Sequence, residues 1–114
     1  MEINIENSAS SCCLKLIGEM TIYAASQVKD HLIMPINAAQ EVDVDASGIT
    51  DIDSAGMQLL ILAKCHADQL GKPFQLSKPS RPVVEFINLF SLNEFFALPL
   101  SAHEKNNRVS NMGV

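Results

Sequence analysis

Tryptophan is absent from this chain of 114 residues, and aromatic side chains make up only 5% of it. Small aliphatic side chains must therefore fill most of any core. Basic residues are also scarce: eight Lys and Arg stand against thirteen Asp and Glu, for a formal net charge of −5. A general nucleic-acid binder needs a basic face that releases counterions, so nucleic acid is not an expected partner. No apolar run approaches the length of a bilayer span, which argues against membrane insertion. Met1 to Asn7 carries two glutamates and no basic cluster, unlike a signal peptide. The three cysteines, Cys12, Cys13 and Cys65, are odd in number and two are adjacent, so no disulfide framework is expected. A reducing, cytoplasmic setting is the simplest reading. The five glycines are dispersed and form no phosphate-cradling loop.

What remains is ordinary for one globular domain, with apolar residues at 47%. Ile3 and Ile5 alternate with polar residues, as do Cys12, Leu14 and Leu16, which predicts two strands joined as a hairpin through the serine-rich Asn7 to Ser11. Gly18 is expected to end the second strand. Thr21 could cap a helix over about 23–37 whose apolar stripe is Val28, Leu32 and Ile36. Pro35 should kink that helix or end its regular part. Val42, Val44 and Ala46 predict an inner strand, and Ser47 to Asp53 carries turn chemistry and reads as a loop. A strong helix from about Ser54 to Leu70 is stopped by Gly71 and Pro73. Phe74 to Leu76 is a short strand. Ser80 and Pro82 open a third helix lined by Val83, Phe86, Ile87 and Phe90. Phe95 to Leu98 reads as a last short strand or part of a final helix. Strands alternating with helices predict an α/β fold, with a small mixed, mostly parallel sheet of four to five strands packed against three to four helices. Residues 1–100 form the expected domain, and the polar stretch 101–114 is expected to be a disordered tail.

The stretch Asp51-Ile52-Asp53-Ser54-Ala55-Gly56-Met57-Gln58-Leu59-Leu60 is the most informative. Ser54 falls where a strand has ended and a long helix begins. Unpaired N–H groups and a positive macrodipole there tolerate a phosphate. A phosphoryl group would also bring about −2 charges beside Asp51 and Asp53. Asp-Ser before a helix is equally a common plain cap. At about 100° per residue, Gly56, Leu59, Ala63, Ala67 and Leu70 share one face, with Leu60 at its edge. Ser54, Met57, Ile61 and Cys65 fall on the opposite face, predicting an exposed apolar patch beside a modifiable serine. Cover by a loop or by the C-terminal tail is the alternative for that patch.

The pair of segments Asp45-Ala46-Ser47-Gly48-Ile49 and Ile52-Asp53-Ser54-Ala55-Gly56 resembles the signature of the STAS domain, the family of bacterial anti-sigma-factor antagonists. Leu16-Ile17-Gly18-Glu19-Met20-Thr21 is similar to its opening strand and turn, and Val83 to Phe90 with Leu92 and Phe96 to its closing helix and strand. The resemblance covers about residues 1–100. It implies a STAS fold, no catalytic activity, no cofactor and a protein partner. That partner would be a serine kinase that is also an anti-sigma factor, whose binding is switched by phosphorylation of Ser54. Asp53 takes the place of the neighbouring acid, and Gly56 that of the small residue that lets the helix start tightly. Thr21 stands where many antagonists carry an aspartate that engages the kinase. The run Gly18 to Ala25, with Ser54 to Leu60, looks closer to STAS proteins found with chemotaxis-type signalling components. The expected partner-binding residues are Thr21, Asp51, Asp53, Ser54, Gly56, Met57, Ile61 and Cys65. The competing expectation is a STAS subunit that is never phosphorylated, a fixed binding module in a chemotaxis-type signalling or ABC transport assembly.

Other chemistry finds little footing. His31, His66 and His103 are the only histidines, and adjacent Cys65 and His66 point about 100° apart on a helix, so they cannot easily share a metal. Cys12 and Cys13 lack the spacing of a redox pair. Ser54 has no Gly-x-Ser-x-Gly elbow, and His66 is about three turns away, too far to act as its base.

Overall fold

The structure, a computed structural model, describes residues 1–98. Its elements run β1 (Glu2–Asn7), β2 (Ser11–Met20), α1 (Ile22–Ala38), β3 (Glu41–Ile52), α2 (Ser54–Gln69), β4 (Phe74–Ser77) and α3 (Arg81–Leu89). The four strands form one sheet in the order β1-β2-β3-β4. β1 and β2 are antiparallel, and both later pairings are parallel. The α/β expectation of a mostly parallel sheet packed on helices therefore holds, at four strands and three helices among the described residues. The tail expected at 101–114 lies outside them.

Alternation decides which face of the sheet is wet. Cys12, Leu14 and Leu16 of β2, Val42, Val44 and Ala46 of β3, and Leu76 of β4 are all buried on one side. They meet Val28, Leu32 and Ile36 of α1, Leu60, Ala63 and Ala67 of α2, and Val83 and Ile87 of α3 in a single core. The alternate positions, Lys15, Asp43, Asp45 and Ser77 among them, lie on the opposite face. There Ser77 Oγ donates to Asp43 Oδ1 at 2.6 Å.

Five expectations need correction. Gly18 does not end β2. It adopts φ +111 inside it, at a register shift between Gly18 and Glu19, and the strand runs on to Met20. The segment from Ser47 to Ile52 is likewise strand, not loop, and pairs Gly48 with Ile17 and Ile52 with Met20. α1 passes through Pro35 to Ala38, because the proline sits in its last turn, where only one hydrogen bond is forgone. The carbonyls left free there are used: Lys72 Nζ donates to those of Ile36 and Asn37, each at 2.7 Å. Phe90 faces outward, since α3 ends at Leu89 and Phe90 is already its C-cap. Its ring instead lies 4.8 Å from that of Phe86. Residues 93–97 form turns rather than a strand or helix, with Phe96 buried and Lys64 of α2 lying 5.5 Å from the centre of the Phe95 ring.

Candidate functional site

The site is built where β2 and β3 end side by side. Glu19 pairs with Asp51 and Met20 with Ile52, so α1 and α2 start next to each other at one end of the sheet. Asp53 joins them. Its Oδ1 accepts from the Gly56 N–H and its Oδ2 from the Ile22 N–H, both at 2.9 Å. One carboxylate thus satisfies an orphan donor at each of two helix starts. Bonds from Gly56 and Ile22 hold the Asp53 carboxyl below the usual carboxylate range. Thr21 is the N-cap residue of α1 but makes no side-chain capping bond, so that helix borrows its cap from α2.

The capping role expected of Ser54 falls to its neighbour. Asp53 is the N-cap; Ser54 is the first helical residue and is exposed. Gly56 explains why α2 can begin so close to the sheet. A Cβ there would overlap the Met20 carbonyl oxygen and press on Ile52 Cγ1, so only a glycine permits the approach.

The expected patch along α2 is not what surrounds Ser54. Met57 is only 2% exposed and belongs to the core. Its neighbour Gly56 is buried too, and Ile61 packs half-buried against the core. Cys65 is half-buried. The wheel placed Gly56, Leu59, Leu60, Ala63 and Ala67 inward, as they are, but it misplaced Met57, and also Leu70, which is exposed. α2 packs on both the sheet and α1, which widens its buried arc until Met57 and Leu59 mark the two flanks. The residues the sequence pattern did not single out are on α1. Ile22, whose N–H is held by the Asp53 clamp, is 65% exposed, and the next residue, Tyr23, is 91% exposed. A signal was present: Tyr23 lies about 180° from the Val28, Leu32 and Ile36 stripe on a helical wheel. Exposed Glu19 and Asp51, with half-buried Asp53, give the surroundings an acidic rim.

A concavity of about 600 Å³ lies at the opposite end of the parallel strands, lined by Glu6, Cys13, Glu41, Asp43 and Gln75 among others. Two smaller ones, about 470 and 310 Å³, also exclude Ser54. Burial, then Asp43, Asp45 and Glu6, push the Cys13 thiol upward. Among the described residues no three His, Cys, Asp or Glu side chains gather as metal ligands. No described helix is long and apolar enough to cross a membrane.

A family model described as Mlab, STAS domain matches residues 3–100. The chain belongs to the STAS domain family. Solved structures agree on the fold. A putative anti-sigma factor antagonist from Thermotoga maritima superposes with a TM-score of 0.76 at 17% identity, over 95% of this chain and 94% of that one. The Bacillus cell fate determinant SpoIIAA, in its phosphorylated form, does so at 0.67 and 17%, over 95% of this STAS domain and 99% of its own chain. RsbS from Moorella thermoacetica, in a serine-to-glutamate variant, gives 0.70 and 19%, over 98% and 97%. This STAS domain thus shares its fold with solved structures that include anti-sigma factor antagonists, along nearly its whole length.

Proposed function

We propose that this STAS domain is a partner-switching regulator, which docks a protein through the surface around Ser54 and releases it when Ser54 is phosphorylated. The observation that carries the reading is the division of labour at the start of α2: Asp53 caps the helix, which leaves the Ser54 hydroxyl exposed and structurally spare. Ile22 and Tyr23 supply apolar anchors beside it. Tyr is favoured at such contacts because it offers large area at small entropic cost. A phosphoryl dianion set between these anchors and the Asp51 and Asp53 carboxylates would meet like charge and would have to lose water on docking. The partner is a serine kinase acting as anti-sigma factor, or a chemotaxis-type signalling protein. That solved neighbours include an antagonist in its phosphorylated form supports the first.

Incubation with a cognate serine kinase and ATP, followed by intact mass, should add one phosphate to the wild type and none to Ser54→Ala. In calorimetric titrations against that kinase, Ser54→Ala should bind like the wild type. Ser54→Asp should bind at least about tenfold more weakly. An acid at the first helical position is mildly favourable to the helix, so Ser54→Asp should not unfold the domain. Equal affinities for all three proteins would sink the switch.

A further inference from the structure

β1 is an end strand, and among the described residues nothing pairs with its outer edge. Free edges invite pairing with another chain, and proteins usually blunt them with charged side chains (lysine above all), proline, bulges or short length. β4, the other edge, is blunted by length, at four residues. β1 has six residues, Glu2-Ile3-Asn4-Ile5-Glu6-Asn7, with no lysine, no proline and an unbroken register against β2; its charges are Glu2 and Glu6 alone, so only the register of a pairing decides whether they repel.

The sheet also outruns its helical cover on this side. Ile3 and Ile5 pair with buried Leu16 and Leu14, so they lie on the helix face, yet Ile5 remains 47% exposed. Met34 of α1 is 68% exposed nearby. Two concavities of about 470 and 310 Å³ run along this overhang and share Ile5, the larger also lined by Met34 and Pro35 and the smaller by Val28.

We propose that this edge is the interface to a second copy of the chain, with β1 paired antiparallel to β1 about a twofold axis at Ile5. The strand's own sequence selects that register. Slipping by one residue would put Asn4 opposite Ile5 and turn the apolar overhang of one copy onto the polar face of the other. Registers that keep the two overhangs on one face are therefore two residues apart. Centring on Asn4 sets Glu2 against Glu6 twice, and centring on Glu6 opposes the two copies of Glu6; like charges directly opposite are destabilising. Centring on Ile3 pairs only three strand residues. Centring on Ile5 places Ile5 on Ile5, Asn4 against Glu6 and Ile3 against Asn7, with no carboxylates opposed. The contact is isologous and closes after two copies, as soluble dimers do. It continues one four-stranded sheet into the next and brings the two Ile5 overhangs together. The Ser54 surface stays outside it, because β1 and the start of α2 are separated by β2.

Sedimentation velocity on the full chain tests this from low to high micromolar concentration. The wild type should rise from the monomer mass of 12.4 kDa toward twice that value. Ile5→Lys, which sets two ammonium groups on the axis at an already exposed position, should stay monomeric throughout. The register is tested by Asn4, which faces Glu6 of the second copy. Asn4→Lys should lower the dimer dissociation constant and Asn4→Glu raise it, each by about fivefold. Monomer stability should move the other way, since Asn4 also pairs with Lys15 of β2. Stability therefore cannot mimic the expected order, and the Asn4 pair decides the matter even if Ile5→Lys fails to fold. A wild type that remains monomeric, as it would if the chain covered this edge itself or reserved it for another protein, overturns the proposal. So do Asn4 variants that shift together or in the reverse order.

Discussion

Asp53 shows how much a single side chain can be asked to hold. Its two oxygens serve two helices, one of which begins 31 residues earlier in the chain, and its neighbour is thereby left free. The charged form accepts those bonds, which is why its carboxyl titrates low. The sign of the pH effect follows. A depressed native carboxyl stabilises the fold fully above the unfolded-state value, near pH 4, and that stabilisation is lost as pH falls through the native value. Asp45 contributes in the same window. Burial pushes it up, but the Ser47 hydroxyl and amide, with Lys78 and Lys15, pull it below the usual range. Asp53→Asn keeps only one acceptor oxygen. It should cost about 1 kcal/mol at neutral pH and flatten the loss of stability below pH 4, as read from urea midpoints across an acid series. An unchanged acid slope would mean that the clamp is not ionised in the way its bonds require. None of this double duty was legible in the sequence, where Asp53 read as a flank to Ser54. A contact between residues so far apart in the chain leaves no local pattern.

Among the elements, β3 and α2 teach opposite lessons. The Ser47 to Asp53 segment carries Ser, Gly, Thr and Asp, and those residues did their usual work of bonding nearby backbone. Asp45 Oδ1 accepts from Ser47 N–H and Asp51 Oδ1 from Ile52 N–H, both at 2.9 Å. They did so within an irregular strand rather than a loop, because the end of β2 lay alongside to pair with it. Composition alone does not separate those two outcomes. The limits of α2 were legible from Gly71, which takes φ +70 just past its end. The centre of its buried face was legible too, in Gly56, Leu59, Leu60, Ala63 and Ala67, but its width was not, because that depends on α1, whose packing is a tertiary fact. Gly56 is where this packing is tightest, against the carbonyl of Met20. Gly56→Ala should therefore destabilise by roughly 1–3 kcal/mol despite the better helix propensity of alanine. Chemical denaturation followed by circular dichroism measures it, and a stabilised variant would show that α2 does not start against β2.

At the scale of the molecule, the chain divides its labour by position. One face of the sheet holds the single core, the ends of β2 and β3 carry the Ser54 surface, and the β1 edge lies apart. The alternation of apolar and polar residues in three strands made the core face legible in the sequence, and the βα alternation made the parallel topology so. The position of Tyr23 has a further consequence. It is the only tyrosine, there is no tryptophan, and it stands 91% exposed beside Ser54. The protein's one strong intrinsic fluorophore is thus almost as wet when folded as when unfolded. Thermal unfolding should be nearly silent in tyrosine emission while plain in far-ultraviolet circular dichroism. Engagement of the Ser54 surface should do the reverse, quenching or depolarising that emission while the fold is unchanged. The domain carries its own optical reporter, and the reporter is blind to folding and sensitive to company.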